Sequence, residues 1–262
     1  MTELLIQENQ EKKQIALVEN GKLIEYYEED NETNRREGNI YIGIVKDIIK
    51  GMQAAFVDIG TEKNSFIHLK DILPKIDETK ETQDENIKIS DIIKPNQKLL
   101  VQIKKDSNEK KGARVSTHIN LPSKYIVLMP NTEIITVSQK IESEEEQKRL
   151  VKLVKENLEQ GNGAIIRTSA QGKEKEIIED IKNIQNKWNK IIETGINPKL
   201  LYKSEDIIDK MLMDMTDKEI SIKRGKDIFN TYGINKQIEK IQNRKIWLKC
   251  GGFITIDKTE AL

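Results

Sequence analysis

IYIGIVKDIIKGMQAAFVDIGTEKNSFIHLK, residues 40–70, decides the fold class of this chain. It holds three strand-like runs, IYIGIVKDII (40–49), MQAAFVDIG (52–60) and NSFIHL (64–69), and KLLVQIKK (98–105) and ARVSTHINL (113–121) add two more. Most are short and bounded by glycine, asparagine or clusters of charge, which favours a small all-β barrel over helices. Between the third and fourth runs lies DETKETQDENIKISD (77–91), polar enough to be expected as a mobile insertion outside the barrel.

Outward from this block the pattern changes. Toward the amino terminus, residues 14–18 and 22–27 alternate or run apolar around Asn20-Gly21, a dipeptide that tolerates the positive φ of a tight hairpin turn. EEDNETNRREGN (28–39) then marks a boundary. Beyond Pro130 helical spacing takes over. Ser143 with Glu146 predicts a capping box, Leu150, Leu153, Val154 and Leu158 share one helical face, and Gly161 ends the helix. GAIIRT (163–168) is a short buried-type strand. After SAQGK, the residues Ile177, Ile181, Ile184, Trp188, Ile191 and Ile192 mark a second amphipathic helix ending near Gly195. A third helix is expected over 204–215 and a fourth over 234–241. IWLK and FITID, joined through Cys250-Gly251-Gly252, read as two hairpin strands.

Composition sets the outer limits. The 262 residues carry 44 Lys+Arg against 44 Asp+Glu, a formal net charge of zero. This excludes a globally basic nucleic-acid binder but not local basic patches, since exposed charges act over a Debye length of about 8–10 Å. An apolar fraction of 36% is enough for a core when patterned and argues against a largely disordered chain. The longest apolar run, YIVLM (125–129), is far short of a bilayer span, and MTELLIQENQEKK (1–13) carries charges where a signal peptide needs an apolar stretch. A soluble cytoplasmic protein with no membrane partner is expected. The lone Cys250 permits no intrachain disulfide and no cysteine-rich zinc site.

Phe56 precedes the Gly60 turn and Phe66 follows it, with Lys50, Lys63 and Lys70 near the strand ends. In such an arrangement aromatic faces stack RNA bases while lysines hold the backbone. Pattern alone reads Phe56, inside AAFV, as core and leaves Phe66 open between core and surface. His68 and His118 lie far apart in sequence with no carboxylate at metal-ligand spacing, so they read as surface or barrel residues. Unaided, Arg167 reads as an ordinary surface charge.

Four longer strings carry a resemblance. IYIGIVKDIIKGMQAAFVDIGTEKNSFIHLKDI (40–72), KKGARVSTHINLPSKYIVLMP (110–130), GAIIRTSAQGK (163–173) and YGINKQIEKIQNRKIWLKCGGFITIDKTEAL (232–262) are similar to the amino-terminal half of the ribonuclease E/G family of bacterial endoribonucleases. The resemblance implies an α+β protein. A five-stranded OB-type RNA-binding barrel of the S-one type (37–121) is inserted in an RNase H-like domain made of 1–36 and a shortened 197–231. An α+β sensor for the monophosphorylated 5′ end of RNA (122–196) and the start of a DNase I-like catalytic domain (232–262) complete it. It also implies that Phe56 and Phe66 contact RNA, which lifts both above a core role, and that Lys111 in KKGARVSTH is an RNA-contacting lysine. Arg167 and Thr168 align with the pair that holds the 5′ phosphate, with Val127 in YIVLMP nearby. Local logic agrees, because the two close a strand and SAQGK leads into a helix whose first amides are unpaired and favoured by the dipole for an anion. Lys140, in SQKI, stands where the family pattern has arginine, and lysine does not form arginine's bidentate contact.

The same resemblance implies a Mg²⁺-dependent single-strand endoribonuclease of RNA decay and ribosomal RNA processing, with 5′-monophosphorylated single-stranded RNA preferred. In that family the carboxylates that hold Mg²⁺ follow the TEAL motif, and the zinc-binding cysteines that link protomers lie further on. Asp257 precedes TEAL and matches neither metal ligand. These 262 residues are therefore expected to bind RNA, hold no Mg²⁺, cleave nothing alone and remain monomeric, with dimer and tetramer contacts confined to the complete protein. The alternative reading is a non-catalytic RNA-binding protein made of barrel and phosphate sensor.

Overall fold

Asn20 and Gly21 both take positive φ, 50° and 77°, in the computed structural model of the chain. This turn joins the last two strands of a meander, β1 (Thr2–Glu8), β2 (Lys12–Glu19) and β3 (Lys22–Asp30), and its twist matches theirs. The expected hairpin is β2–β3. β1 escapes the sequence reading because Leu4, Leu5 and Ile6 are buried in succession, without the alternation that marks a half-buried strand. The structure describes residues 1–30, 35–72, 87–108, 110–194, 200–215 and 220–257. It divides into two units, Met1–Arg35 with Asp217–Leu262, and Arg36–Thr216.

The Arg36–Thr216 unit begins with the barrel: β4 (Ile40–Ile49), β5 (Ala54–Asp58), β6 (Ser65–His68), the short helix α1 (Ile89–Ile92), β7 (Lys98–Lys105) and β8 (Arg114–Ser116). β4, β5 and β6 run antiparallel, β6 meets β8 in parallel, β8 pairs with β7, and β7 returns to β4. That closure leaves five strands in an OB-type barrel. Val45, Ala55, Val57, Ile59, Ile67, Val101, Ile103 and Val115 fill it, each large side chain contributing about 1.5–3 kcal/mol on burial. One expectation is corrected here. Residues 77–91 do not stay wholly outside, because Ile89 is buried in the barrel core, followed just beyond the segment by Ile93, and Gln53 Oε1 accepts from the Ile89 amide at 2.9 Å. Residues 77–86, like Gly195 and TEAL, lie outside the described residues.

The chain then builds a second sheet from β9 (Leu121–Pro122), β10 (Ile126–Pro130), β11 (Ile135–Val137) and, after α2 (Glu144–Asn157), β12 (Asn162–Ile166), in the order β11-β12-β10-β9. α3 (Lys175–Glu193) follows. Ser143 Oγ accepts from the Glu146 amide at 3.3 Å, so half of the expected capping box forms, while the Glu146 carboxylate turns to Arg149 and to the Gly172 amide. Leu150 and Val154 of α2 and Ile177, Ile181, Ile184, Trp188 and Ile191 of α3 bury against Ile126, Leu128, Ala164 and Ile166. Ile40, Ile119 and Leu121 belong to the same core, which ties this sheet to the barrel. β13 (Leu200–Tyr202) pairs antiparallel with β4, and α4 (Ile207–Asp214) begins after Asp206, whose side chain accepts from the Ile208 amide, rather than at residue 204.

In the other unit β14 (Ile220–Arg224) lies parallel to β1, giving the sheet β14-β1-β2-β3. α5 (Ile228–Thr231) and α6 (Ile234–Gln242) bring Phe229 and Ile234 onto Leu5, Ala16, Val18 and Leu23. β15 (Lys245–Trp247) and β16 (Phe253–Thr255) form the expected terminal hairpin. Among the described residues no helix is long and apolar enough to cross a membrane.

Candidate nucleic-acid interface

Alternation along β5 and β6 decides which side chains leave the barrel. Ala55, Val57 and Ile67 are fully buried and point inward, so Phe56, Phe66 and His68 between and beside them face out and are half-buried. Phe56 is thus outside the core, against the reading of AAFV alone. The register pairs Phe56 directly with Phe66, and their rings meet edge-on with centroids 6.2 Å apart at 71°. His68 Nδ1 accepts from the Lys70 amide at 3.2 Å and caps the turn after β6.

Lys111 stands exposed on the loop between β7 and β8. Asn108 shapes that loop, its side chain accepting from the Lys110 and Lys111 amides at 3.0 and 2.8 Å. Gly112 is required there, since a Cβ would stand 1.9 Å from the Asn64 carbonyl oxygen. The close approach lets Lys63 Nζ donate to the Asn108 carbonyl at 3.0 Å, which gathers lysines from two loops at one end of the barrel. The Phe66 amide donates to the Ala113 carbonyl at 2.7 Å, so the Lys111 loop runs straight into the strand beside the aromatic pair.

Arg167 and Thr168 lie where β12 ends. Val127 pairs with Ile165, and because β-residues alternate, Val127, Ile165 and Arg167 share the outer face of the sheet. The Arg167 guanidinium donates to the Ser123 carbonyl at 2.9 Å. Burial holds its pKa below the ordinary value, an effect that the nearby Asp180 carboxylate partly offsets. Asp180 is itself fixed, accepting from Ser123 Oγ at 2.5 Å and from the Tyr125 amide at 2.9 Å. Thr168 turns the other way and shares a hydrogen bond of 3.1 Å with Ser138, whose hydroxyl also accepts from the Lys140 amide at 3.4 Å. Lys140 is exposed. Thr168, Ser138 and Lys140 therefore come together, with Arg167 adjacent. Ser123, Ser138 and Asp180 carried no signal in the sequence, since the bonds Arg167–Ser123, Ser123–Asp180 and Thr168–Ser138 span 44, 57 and 30 residues and no local pattern announces them.

SAQGK does lead into a helix as expected, a short turn beyond Thr168. A single 3₁₀ turn, Thr168–Ala170, follows the strand, α3 starts only at Lys175, and the Gly172 amide is taken by the Glu146 carboxylate. Side chains, not helix amides, make this corner.

The described residues contain no group of three or more His, Cys, Asp or Glu able to hold a metal, and both Asp257 oxygens are engaged by Arg244, at 2.6 and 3.2 Å.

Comparison with known proteins bears on both regions. Residues 120–224 and 217–262 match the model of the ribonuclease E/G family. The chain is 34% identical to ribonuclease G of Salmonella typhimurium (strain SL1344) over 299 residues, covering 99% of this chain and 61% of that protein. Against ribonuclease G of Escherichia coli (strain K12) the identity is 33%, with the same coverage, and against ribonuclease E of Nostoc sp. it is 31% over 95% of this chain and 42% of that protein. The chain thus spans 61% of the length of these ribonuclease G relatives. With the family match running from Asn120, just before β9, to the terminal hairpin, and the relatives aligning across the barrel as well, the chain belongs to the ribonuclease E/G family.

Proposed function

We propose that this chain supplies the RNA-binding and 5′-end-sensing functions of a ribonuclease E/G-type, divalent-metal-dependent single-strand endoribonuclease that acts in cytoplasmic RNA processing and decay. The observation that carries the reading is the outward pairing of Phe56 with Phe66 on a closed OB-type barrel whose β4 packs Ile40 into the core of the sheet bearing Arg167. Aromatic faces stack bases of any sequence, and Lys111 at the barrel end holds the backbone. Arg167, Thr168 and Lys140 take the 5′ monophosphate, with Val127 beneath it. The parallel pairing of β14 with β1 supports reading 1–36 and the later part of 197–231, from Ile220, as two parts of one RNase H-like domain, with 232–262 opening the catalytic domain; residues 200–215 instead go with the barrel and the second sheet. The test is titration with two single-stranded RNAs of one sequence, one carrying a 5′ monophosphate and one a 5′ hydroxyl. Tighter binding of the monophosphate supports the sensor; failure of both RNAs to bind removes the whole proposal.

A further inference from the structure

Phe56 and Phe66 do not stand alone on the outer face of the barrel. β5 sets Phe56 opposite Phe66, the parallel pairing of β6 with β8 sets Phe66 opposite Arg114, and β7 sets Lys105 opposite Arg114. With neighbouring strands about 4.8 Å apart, the four residues form a row about 14 Å long, two aromatics followed by two cations. Arg114 is held in a particular way. Its Nε and Nη2 donate to Asp71 at 3.1 and 2.9 Å, while Nη1 donates to none of the described residues and 55% of the side chain is exposed. Asp71 is firmly mounted, its carbonyl accepting from the Thr117 amide and from the Ser116 and Thr117 hydroxyls.

An exposed ion pair adds little to stability, but a guanidinium fixed along one edge offers its other edge with less freedom left to lose on binding. Resting on the RNA-binding reading of the barrel, we propose that Arg114 is a further RNA-contacting residue, donating through its outer edge to the phosphate that follows the bases stacked on Phe56 and Phe66. Stacking surface followed by fixed cation is the arrangement that tracks a single strand without choosing its sequence. The residue was missed in the sequence because its neighbour Phe66 lies 48 positions away, across a parallel strand pairing that no local pattern announces.

The experiment is fluorescence-anisotropy titration of a labelled 5′-hydroxyl single-stranded RNA, which leaves the 5′ corner out, across a range of salt concentrations. Parent, Arg114→Ala, Arg114→Lys and Phe66→Ala are compared, with thermal melting to establish folding; if Arg114→Ala does not fold, Arg114→Gln replaces it. Arg114→Ala is expected to weaken binding about tenfold and to flatten the log–log salt dependence by about 0.7, one phosphate contact. Arg114→Lys should keep the parental slope and recover only part of the affinity, because an ammonium lacks the fork that both Asp71 and phosphate use. Parental affinity and slope in Arg114→Ala, with Phe66→Ala weakened, overturn the role of Arg114 and leave the barrel reading standing. Parental binding in both variants overturns the two together.

Discussion

The barrel face and the Arg167 corner are built in opposite ways. On the barrel, Phe56 and Phe66 stand outward on a closed sheet, and Lys111 is exposed on the loop that leads to β8. Arg167 is half-buried, already bonded to the Ser123 carbonyl and facing Asp180. Exposed stacking surface gives affinity without choosing, because every base has a face. A cation whose partners are in place gives them up only for a ligand of stronger charge, and so discriminates. On the proposed function, one chain thereby separates holding RNA from identifying its end.

The largest effect that can break this contrast is on stability. Ile67→Ala should cost about 2–5 kcal/mol, as removal of a fully buried side chain does. Its neighbour Phe66→Ala should cost no more than the edge-on pair with Phe56, about 0.5–1.5 kcal/mol. Urea unfolding reads both, and equal losses would return Phe66 to the core. On RNA affinity the order reverses: Phe66→Ala and Phe56→Ala should each lose about 1–3 kcal/mol by filter binding. Any preference for a 5′ monophosphate should survive in both variants.

A smaller effect sharpens the corner. Lys140→Arg replaces a point charge with a bidentate fork and should tighten 5′-monophosphate binding by about 1 kcal/mol while leaving 5′-hydroxyl RNA unchanged; equal tightening of both would mean that Lys140 lies along the strand rather than at its end. Smallest is the acid response of the turn after Thr168. Arg149 and the Gly172 amide hold the Glu146 carboxyl at about 2 against its ordinary 4.5. Because the folded value is depressed, its stabilisation is present above about pH 4.5 and disappears as pH falls toward 2. Solvent screening limits the effect to about 1 kcal/mol. Glu146→Gln should make acid unfolding less steep in that window, and an identical profile would show that the clamp contributes nothing.

Local chemistry made much of this legible. Asn20-Gly21 announced its hairpin, the spacing of Ile177, Ile181, Ile184 and Trp188 announced α3, and five short runs announced the barrel strands. What stayed hidden is non-local. β1 is apolar in succession because both faces are covered, and α1 enters the barrel through Ile89, with Ile93 directly after it, at the end of an otherwise polar stretch. The direction of Phe56 depends on register rather than on its apolar neighbours. At the corner the sequence offered Arg167 and Thr168 only through resemblance. Of the partners that orient them, Ser123 and Ser138 are brought in by the pairing of β10, β11 and β12, and Asp180 is carried by α3.

The separation of holding from identifying is tested most directly by competition binding of matched 5′-monophosphate and 5′-hydroxyl RNAs to parent, Arg167→Ala and Phe66→Ala. The parent should prefer the monophosphate by about ten- to a hundredfold, the range of a charge-assisted hydrogen bond. Arg167→Ala should erase that preference while still binding 5′-hydroxyl RNA as the parent does, and Phe66→Ala should weaken both RNAs and keep their ratio. Equal affinity of the parent for the two ends, or an Arg167→Ala variant that keeps the preference, would contradict it.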